Sequence, residues 1–240
     1  MSALPTRKDE AFRYSDTEAL ARVWPVVPEC IIVPAGEELE RAMVLSAGVV
    51  DQIDLSLGKG ATAALYVLNI GGDYGRIEVN VTLHEGANFT LGGVQIGGGT
   101  QTLEIVTTIT HAEPGATSRQ VVRSVLADHA TGTYLGKVAV ARGAQQTDSE
   151  QSVKAILLDR TATANAKPEL EIYADDVKCA HGAAVGELDK DALFYLAARG
   201  LPPAEAKKLM LQAFVAEVFD GATSQALLTS AALAKLGGMV

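Results

Sequence analysis

One small-residue motif recurs through the middle of this 240-residue chain and limits the folds open to it. Ala35-Gly36-Glu37, Gly60-Ala61-Thr62, Gly86-Ala87-Asn88, Gly115-Ala116-Thr117 and Gly143-Ala144-Gln145 follow one another at intervals of about 24 to 29 residues, each beside a segment of strand character. Such a period, with small residues at one corner and two or three strands per repeat, suits the coils of a parallel β-helix. A coil there buries its inner face only against its neighbours. Roughly six coils fit the span at that spacing.

The segments between the motifs read as strands. From about Val26 to about Tyr173, short runs rich in Val, Ile, Leu and Thr alternate with period two, as in RIEVNVTLHEG and TLEIVTTITHAEPG, and none has helical periodicity. Gly71-Gly72-Asp73 and Gly97-Gly98-Gly99 read as turns between them. An antiparallel sandwich or jelly roll produces the same local pattern. The aromatic content of 5% leans toward stacked coils, whose interiors favour aliphatic ladders.

Past Gly186 the periodicity turns helical. Asp189 is placed to cap a first helix, with Leu188 and Leu193 at the spacing of a hydrophobic staple and Leu193, Leu196 and Ala197 as the apolar stripe before Gly200. Pro203 opens a second helix, expected to bury Ala206, Leu209, Met210, Ala213 and Phe214 before Asp220-Gly221; a third runs from about Thr223 to Leu236. The expected organisation is an N-terminal segment (1–25), a β core (26–186) and a C-terminal helical domain (187–240).

Composition removes several function classes. Hydrophobic residues at 48% and charged residues at 20% describe a chain that buries a core. A net charge of −9 disfavours a phosphate backbone as partner, because that affinity comes from clustered Lys and Arg, so no nucleic acid is expected. The opening MSALPTRKDEAFRYSD carries charges where a signal peptide needs an apolar core, and no stretch approaches the roughly 20 apolar residues of a membrane helix. A cytoplasmic protein with no membrane partner is expected. Cys30 and Cys179 are the only cysteines, too few for a disulfide framework or a complete thiolate cage.

Most motifs weigh toward structure. Gly58-Lys59-Gly60 and Gly136-Lys137-Val138 lack the Ser or Thr that a nucleotide-binding loop places after its Lys, and read as strand turns. His111, His84 and His129 each lack the companions of a zinc or nucleophile site and read as surface or turn residues. Asp175-Asp176, with Lys178, offers an alternative: a carbohydrate-active β-helix hydrolase or lyase. Adjacent strand residues face opposite ways, however, so a turn is the simpler reading of that pair. Cys179-Ala180-His181 stands apart. On extended backbone the thiol and imidazole share one face, near enough for one soft metal ion, and Lys178 is expected to favour the thiolate.

The same stretch carries a resemblance. PELEIYADDVKCAHGAAVGELDKDALFYLAARG, from Pro168 to Gly200, with AEAKKLMLQAFVAEVFD after it, is similar to the SufD-type signature within the SufB/SufD family of the SUF iron–sulfur cluster assembly system. The opening LPTRKDEAFRYSD resembles the family's first motif, with Phe12 where Trp is usual and Ser15 where Thr is usual. The resemblance implies a mainly β fold: a right-handed parallel β-helix with a C-terminal α-helical domain. It also implies a non-catalytic scaffold subunit of a SufBCD complex, with a SufB-like partner and a SufC ATPase. SufC would dock on the C-terminal helices, here through Leu193, Phe194, Leu196, Leu209 and Phe214. His181, with neighbouring Cys179, would hold part of a transient Fe–S cluster shared with SufB. Reduced flavin is attributed to such complexes, though the shorter chain counts against it here, and pairing of an isolated chain with itself is the alternative when the true partner is absent. Family members are commonly longer, so fewer coils and a smaller SufB contact are expected here.

Overall fold

The corner motif determines how this chain winds. In the computed structural model, which describes residues 3–48 and 50–239, each repeat supplies two strands. Met1, Ser2, Val49 and Val240, which belong to the expected N-terminal, β and helical regions, lie outside the described residues. The strands are β1 (Glu29–Val33), β2 (Glu38–Leu45), β3 (Val50–Leu57), β4 (Thr62–Asn69), β5 (Tyr74–Leu83), β6 (Asn88–Gly97), β7 (Thr102–His111), β8 (Thr117–Leu126), β9 (Thr131–Val140), β10 (Thr147–Leu157), β11 (Thr163–Ile172) and β12 (Val177–Gly186). Consecutive strands alternate between two six-stranded sheets, β1-β3-β5-β7-β9-β11 and β2-β4-β6-β8-β10-β12. Every pairing is parallel, which excludes the sandwich and establishes a β-helix with two strands per coil.

The recurring motif makes the corner from an odd strand to the next even one. Gly36, Gly60, Gly86 and Gly115 stand there at φ +74°, +66°, +66° and +73°, a left-handed conformation open to glycine because it lacks Cβ. Their amides donate up the stack, to the carbonyls of Lys59, Glu85, Pro114 and Gln145, at 2.8 to 3.0 Å. Ala61, Ala87, Ala116 and Ala144 fill the inside of the bend and are fully buried. The fifth corner departs from the pattern. It takes residues 141–146 instead of the shorter 58–61, and the left-handed residue becomes Gln146 (φ +61°), whose amide donates to Asp176 O at 2.6 Å.

Two cores flank the even sheet. Between the sheets lies an aliphatic lumen including Leu55, Val79, Leu91, Ile105, Val122 and Val138. The outer face of the even sheet is covered by the C-terminal helices α3 (Pro203–Ala216) and α4 (Gln225–Gly237), with a short 3-10 turn at 217–219, while α2 (Lys190–Ala198) packs on α3. Leu211 and Val215 of α3, Phe219 of the turn, and Leu228, Ala232 and Leu236 of α4 pack on Leu68, Val94, Ile96 and Val125. Gly92 permits this approach: a Cβ there would stand 2.7 Å from both the Tyr66 ring and the Val218 carbonyl.

Asp189 caps α2, accepting from the amides of Asp191 and Ala192 at 2.8 and 3.2 Å, and Gly200 (φ +91°) ends it. The expected face of α3 is corrected. Ala206 is buried and Phe214 packs against the sheet-side cluster as expected, but Leu209 and Ala213 are exposed, and Leu211 and Val215 are buried in their place. Apolar residues occur on more than one face of this helix, and contact with the sheet, which spacing does not report, selects the one that is buried.

The N-terminal segment, with α1 (Thr17–Ala21), lies across the odd sheet around one buried ion pair. Arg76 on β5 and Glu104 on β7 are 0% and 1% exposed and 2.8 Å apart. Ser15 and Tyr74 hydroxyls also donate to the same Glu104 oxygen, at 2.9 and 3.0 Å. Arg76 reaches back to the Ala11 carbonyl at 2.9 Å, and its guanidinium sits 4.2 Å from the centre of the Phe12 ring. The opening sequence is thus held through a buried charge that it helps to satisfy.

Candidate functional site

At one end of the solenoid, β11 and β12 are the last strands of their sheets, each with a neighbour on one side only. Both candidate ligands lie on β12. Register pairs Cys179 with Ser149 on β10, itself paired with Ser118 on β8; His181 pairs with Gln151, and Gln151 with Gln120. Residues paired in a parallel ladder share a face, and Ser118, Gln120, Ser149 and Gln151 all point into the lumen, at most 4% exposed. Cys179 and His181 therefore form the last rungs of two lumenal ladders. Cys179 is half-buried against the core, whereas His181 is exposed at the open end.

Behind these rungs the lumen is polar. His111 Nε2 lies 2.9 Å from Ser118 Oγ, which lies 2.9 Å from Ser149 Oγ. Beside this chain, the hydroxyls of Thr107 and Tyr134 donate to Gln120 Oε1 at 2.9 and 3.1 Å, and Gln151 Nε2 donates to the Tyr134 hydroxyl at 3.4 Å. Sequence reading missed these groups, although a signal was present: Ser118-Arg119-Gln120, Ser149-Glu150-Gln151 and Cys179-Ala180-His181 repeat one small-x-polar pattern at the coil period. His111, expected at the surface or in a turn, is fully buried at the end of β7, where burial pulls its pKa down to about 4 against an opposing contribution from the Ala116 backbone. Gly136, expected in a turn, lies inside β9, beneath the ring of Tyr134.

The electrostatics of Cys179 also differ from expectation. Burial and then the Asp148 carboxylate raise its thiol above the ordinary value, with partial opposition from the Ser149 backbone. Lys178 is exposed, and as an immediate strand neighbour it points to the opposite face, so it does not lower the thiol. Asp175 and Asp176 are exposed in the corner before β12, where Asp176 N donates to Gln145 Oε1 at 2.9 Å. They serve a turn and do not face each other across a cleft.

The remaining candidates are dispersed. His84 pairs with Glu113 at 3.2 Å, and His129 sits exposed in a turn. Cys30 is exposed on β1, at the far end of the stack from Cys179. On the helices, Phe194 and Leu209 are 76% and 48% exposed, while Leu193, Leu196 and Phe214 are half-buried. Among the described residues, no three His, Cys, Asp or Glu side chains gather closely enough to hold a metal ion, and no helix is long and apolar enough to cross a membrane.

Comparison with known proteins agrees with this architecture. Residues 46–214 match the family model described as SUF system FeS cluster assembly, SufBD core domain. An iron–sulfur cluster assembly SufBD family protein of Synechocystis is 34% identical over 167 residues, 69% of this chain and 37% of the relative. The iron–sulfur cluster assembly protein SufD of Escherichia coli is 31% identical over 185 residues, 77% of this chain and 44% of the relative. SufD of Bacillus subtilis is 33% identical over 127 residues, 53% of this chain and 29% of the relative. The chain spans less than half the length of these relatives. With a matching core model across most of its length and a parallel β-helix carrying C-terminal helices, the chain belongs to the SufBD family of iron–sulfur cluster assembly proteins.

Proposed function

We propose that this chain is a SufD-like, non-catalytic scaffold that supplies Cys179 and His181 as part of a nascent-cluster site completed by a second polypeptide. The observation that carries this reading is the position of both residues on one face of the terminal strand, at the open end of the solenoid. A metal held by thiolate and imidazole takes about four ligands, and this pair offers two. The other ligands then come from whatever docks on the end. Strands β11 and β12 present unpaired backbone donors and acceptors along their free edges, the feature that invites continuation by strands of another chain. A SufB-like chain, related in fold, is the natural occupant; a second copy of this chain takes its place when that partner is missing.

The raised thiol of Cys179 fits a resting state in which the sulfur is protonated and inert until a metal or a partner's positive charge displaces the proton. On the other side of the even sheet, exposed Phe194 and Leu209 and half-buried Leu193, Leu196 and Phe214 offer apolar area for a SufC ATPase. The helices share a core with β4, β6 and β8, so a pull on them is transmitted into the sheet that ends in β12. The setting is the cytoplasm.

The test is co-expression with SufB-like and SufC-like chains, followed by mass measurement and anaerobic cluster loading. The expected result is a complex of all three, in which His181→Ala abolishes loading yet retains the ATPase. Undiminished loading by that variant removes His181 from the site.

A further inference from the structure

The lumenal ladder under His181 ends in an unanswered hydrogen-bond acceptor. Gln151 is 1% exposed, and its Oε1 has no partner. Its orientation follows from its neighbours. The Tyr134 hydroxyl has two nearer acceptors for its single proton, Gln120 Oε1 and the Thr107 hydroxyl, each at 3.1 Å, and Thr107 lies 2.9 Å from the same Gln120 oxygen. Tyr134 therefore meets Gln151 as an acceptor, taking the Nε2 hydrogen at 3.4 Å, and this turns the carbonyl end of the amide away from the tyrosine. The next rung on that face is His181, and both residues line one groove at the end of the sheet.

An imidazole that ligates a metal through one nitrogen commonly donates its other N–H to a buried oxygen, which sets the tautomer and the ring plane. We infer that Gln151 is a positioning residue for His181: its Oε1 accepts one ring N–H of His181 and leaves the other nitrogen bare toward the open end. The chain Thr107, Tyr134, Gln120 and Gln151 is then a brace running from the lumen to the candidate ligand, and the orphaned oxygen has its partner. This rests on the reading of His181 as a ligand, but the hydrogen bond itself does not depend on any cluster.

The test uses the free full-length chain without metal, with 15N-labelled histidine, at about pH 8, where an imidazole is ordinarily neutral. The ring-nitrogen shifts of His181, assigned by their loss in His181→Ala, are compared with those of a peptide spanning 177–186. The expected result is one dominant tautomer in the folded chain, its loss to the peptide's mixture in Gln151→Leu, and its retention in Gln151→Glu, which keeps an acceptor. A peptide-like mixture in the wild-type chain overturns the inference without any variant having to fold. An unchanged tautomer in folded Gln151→Leu overturns it as well. A locked tautomer combined with full cluster loading by His181→Ala in the complex would leave the brace standing and reject the ligand role.

Discussion

Glu104→Gln tests how the N-terminal segment is held. One Glu104 oxygen accepts from Arg76, Ser15 and Tyr74 at 2.8, 2.9 and 3.0 Å, at a site where both charged side chains are almost fully buried. Glutamine preserves the shape and one acceptor but removes the charge, so Arg76 is left with Glu78, 2.7 Å away and 19% exposed. Removing one partner of a buried pair costs about 3–5 kcal/mol. Because Glu78 and the remaining amide oxygen compensate in part, the low end, about 3 kcal/mol, is expected. Glu171→Gln is the control: its pair with Lys137 is well exposed, and a loss below about 1 kcal/mol is expected. Urea unfolding followed by circular dichroism measures both. Trp24, the single tryptophan, packs edge-on to Phe12 at 6.1 Å and reports locally on the segment. Faster tryptic cleavage at Arg7 and Arg13 should accompany the substitution. A loss under about 1 kcal/mol with unchanged cleavage would refute the claim that Arg76 depends on this carboxylate.

Three further outcomes are expected. The pKa of His111 is about 4 in the folded chain, against an ordinary value of about 6.5. Stability is therefore complete above about pH 6.5 and declines as pH falls toward 4, because the unfolded chain takes a proton that the folded one refuses. The total is about 3 kcal/mol, and His111→Gln should flatten that slope in urea titrations at several pH values. In a Cys30→Ser background, Asp148→Asn should lower the Cys179 thiol and speed its alkylation, whereas Lys178→Gln should leave the rate unchanged; equal rates in all three chains would remove Asp148 as a cause. Gly136→Ala would place a Cβ 2.2 Å from the Tyr134 hydroxyl oxygen, so thermal unfolding should show a loss of about 1–3 kcal/mol, and Tyr134→Phe in the same chain should recover little of it because the ring itself is 2.4 Å away.

Much of this protein is written locally. Strand periodicity, the glycine-alanine corners, Asp189 as a cap and Gly200 as a stop each depend on a few neighbouring residues, so the strands, the period of their corners and the helical end could be read directly, while the parallel stacking that excludes a sandwich could not. The pairing of Cys179 with His181 on one face is equally local, since it needs only an extended backbone. Stacking decided the rest. Whether two or three strands make a coil, which face of α3 is buried, and where His111 and Gly136 lie depend on residues brought together from separate coils. The raised thiol of Cys179 comes from burial in the stack and then from Asp148, 31 positions earlier in sequence but on the neighbouring strand of the sheet, and a chain read along its length does not show what lies one rung below.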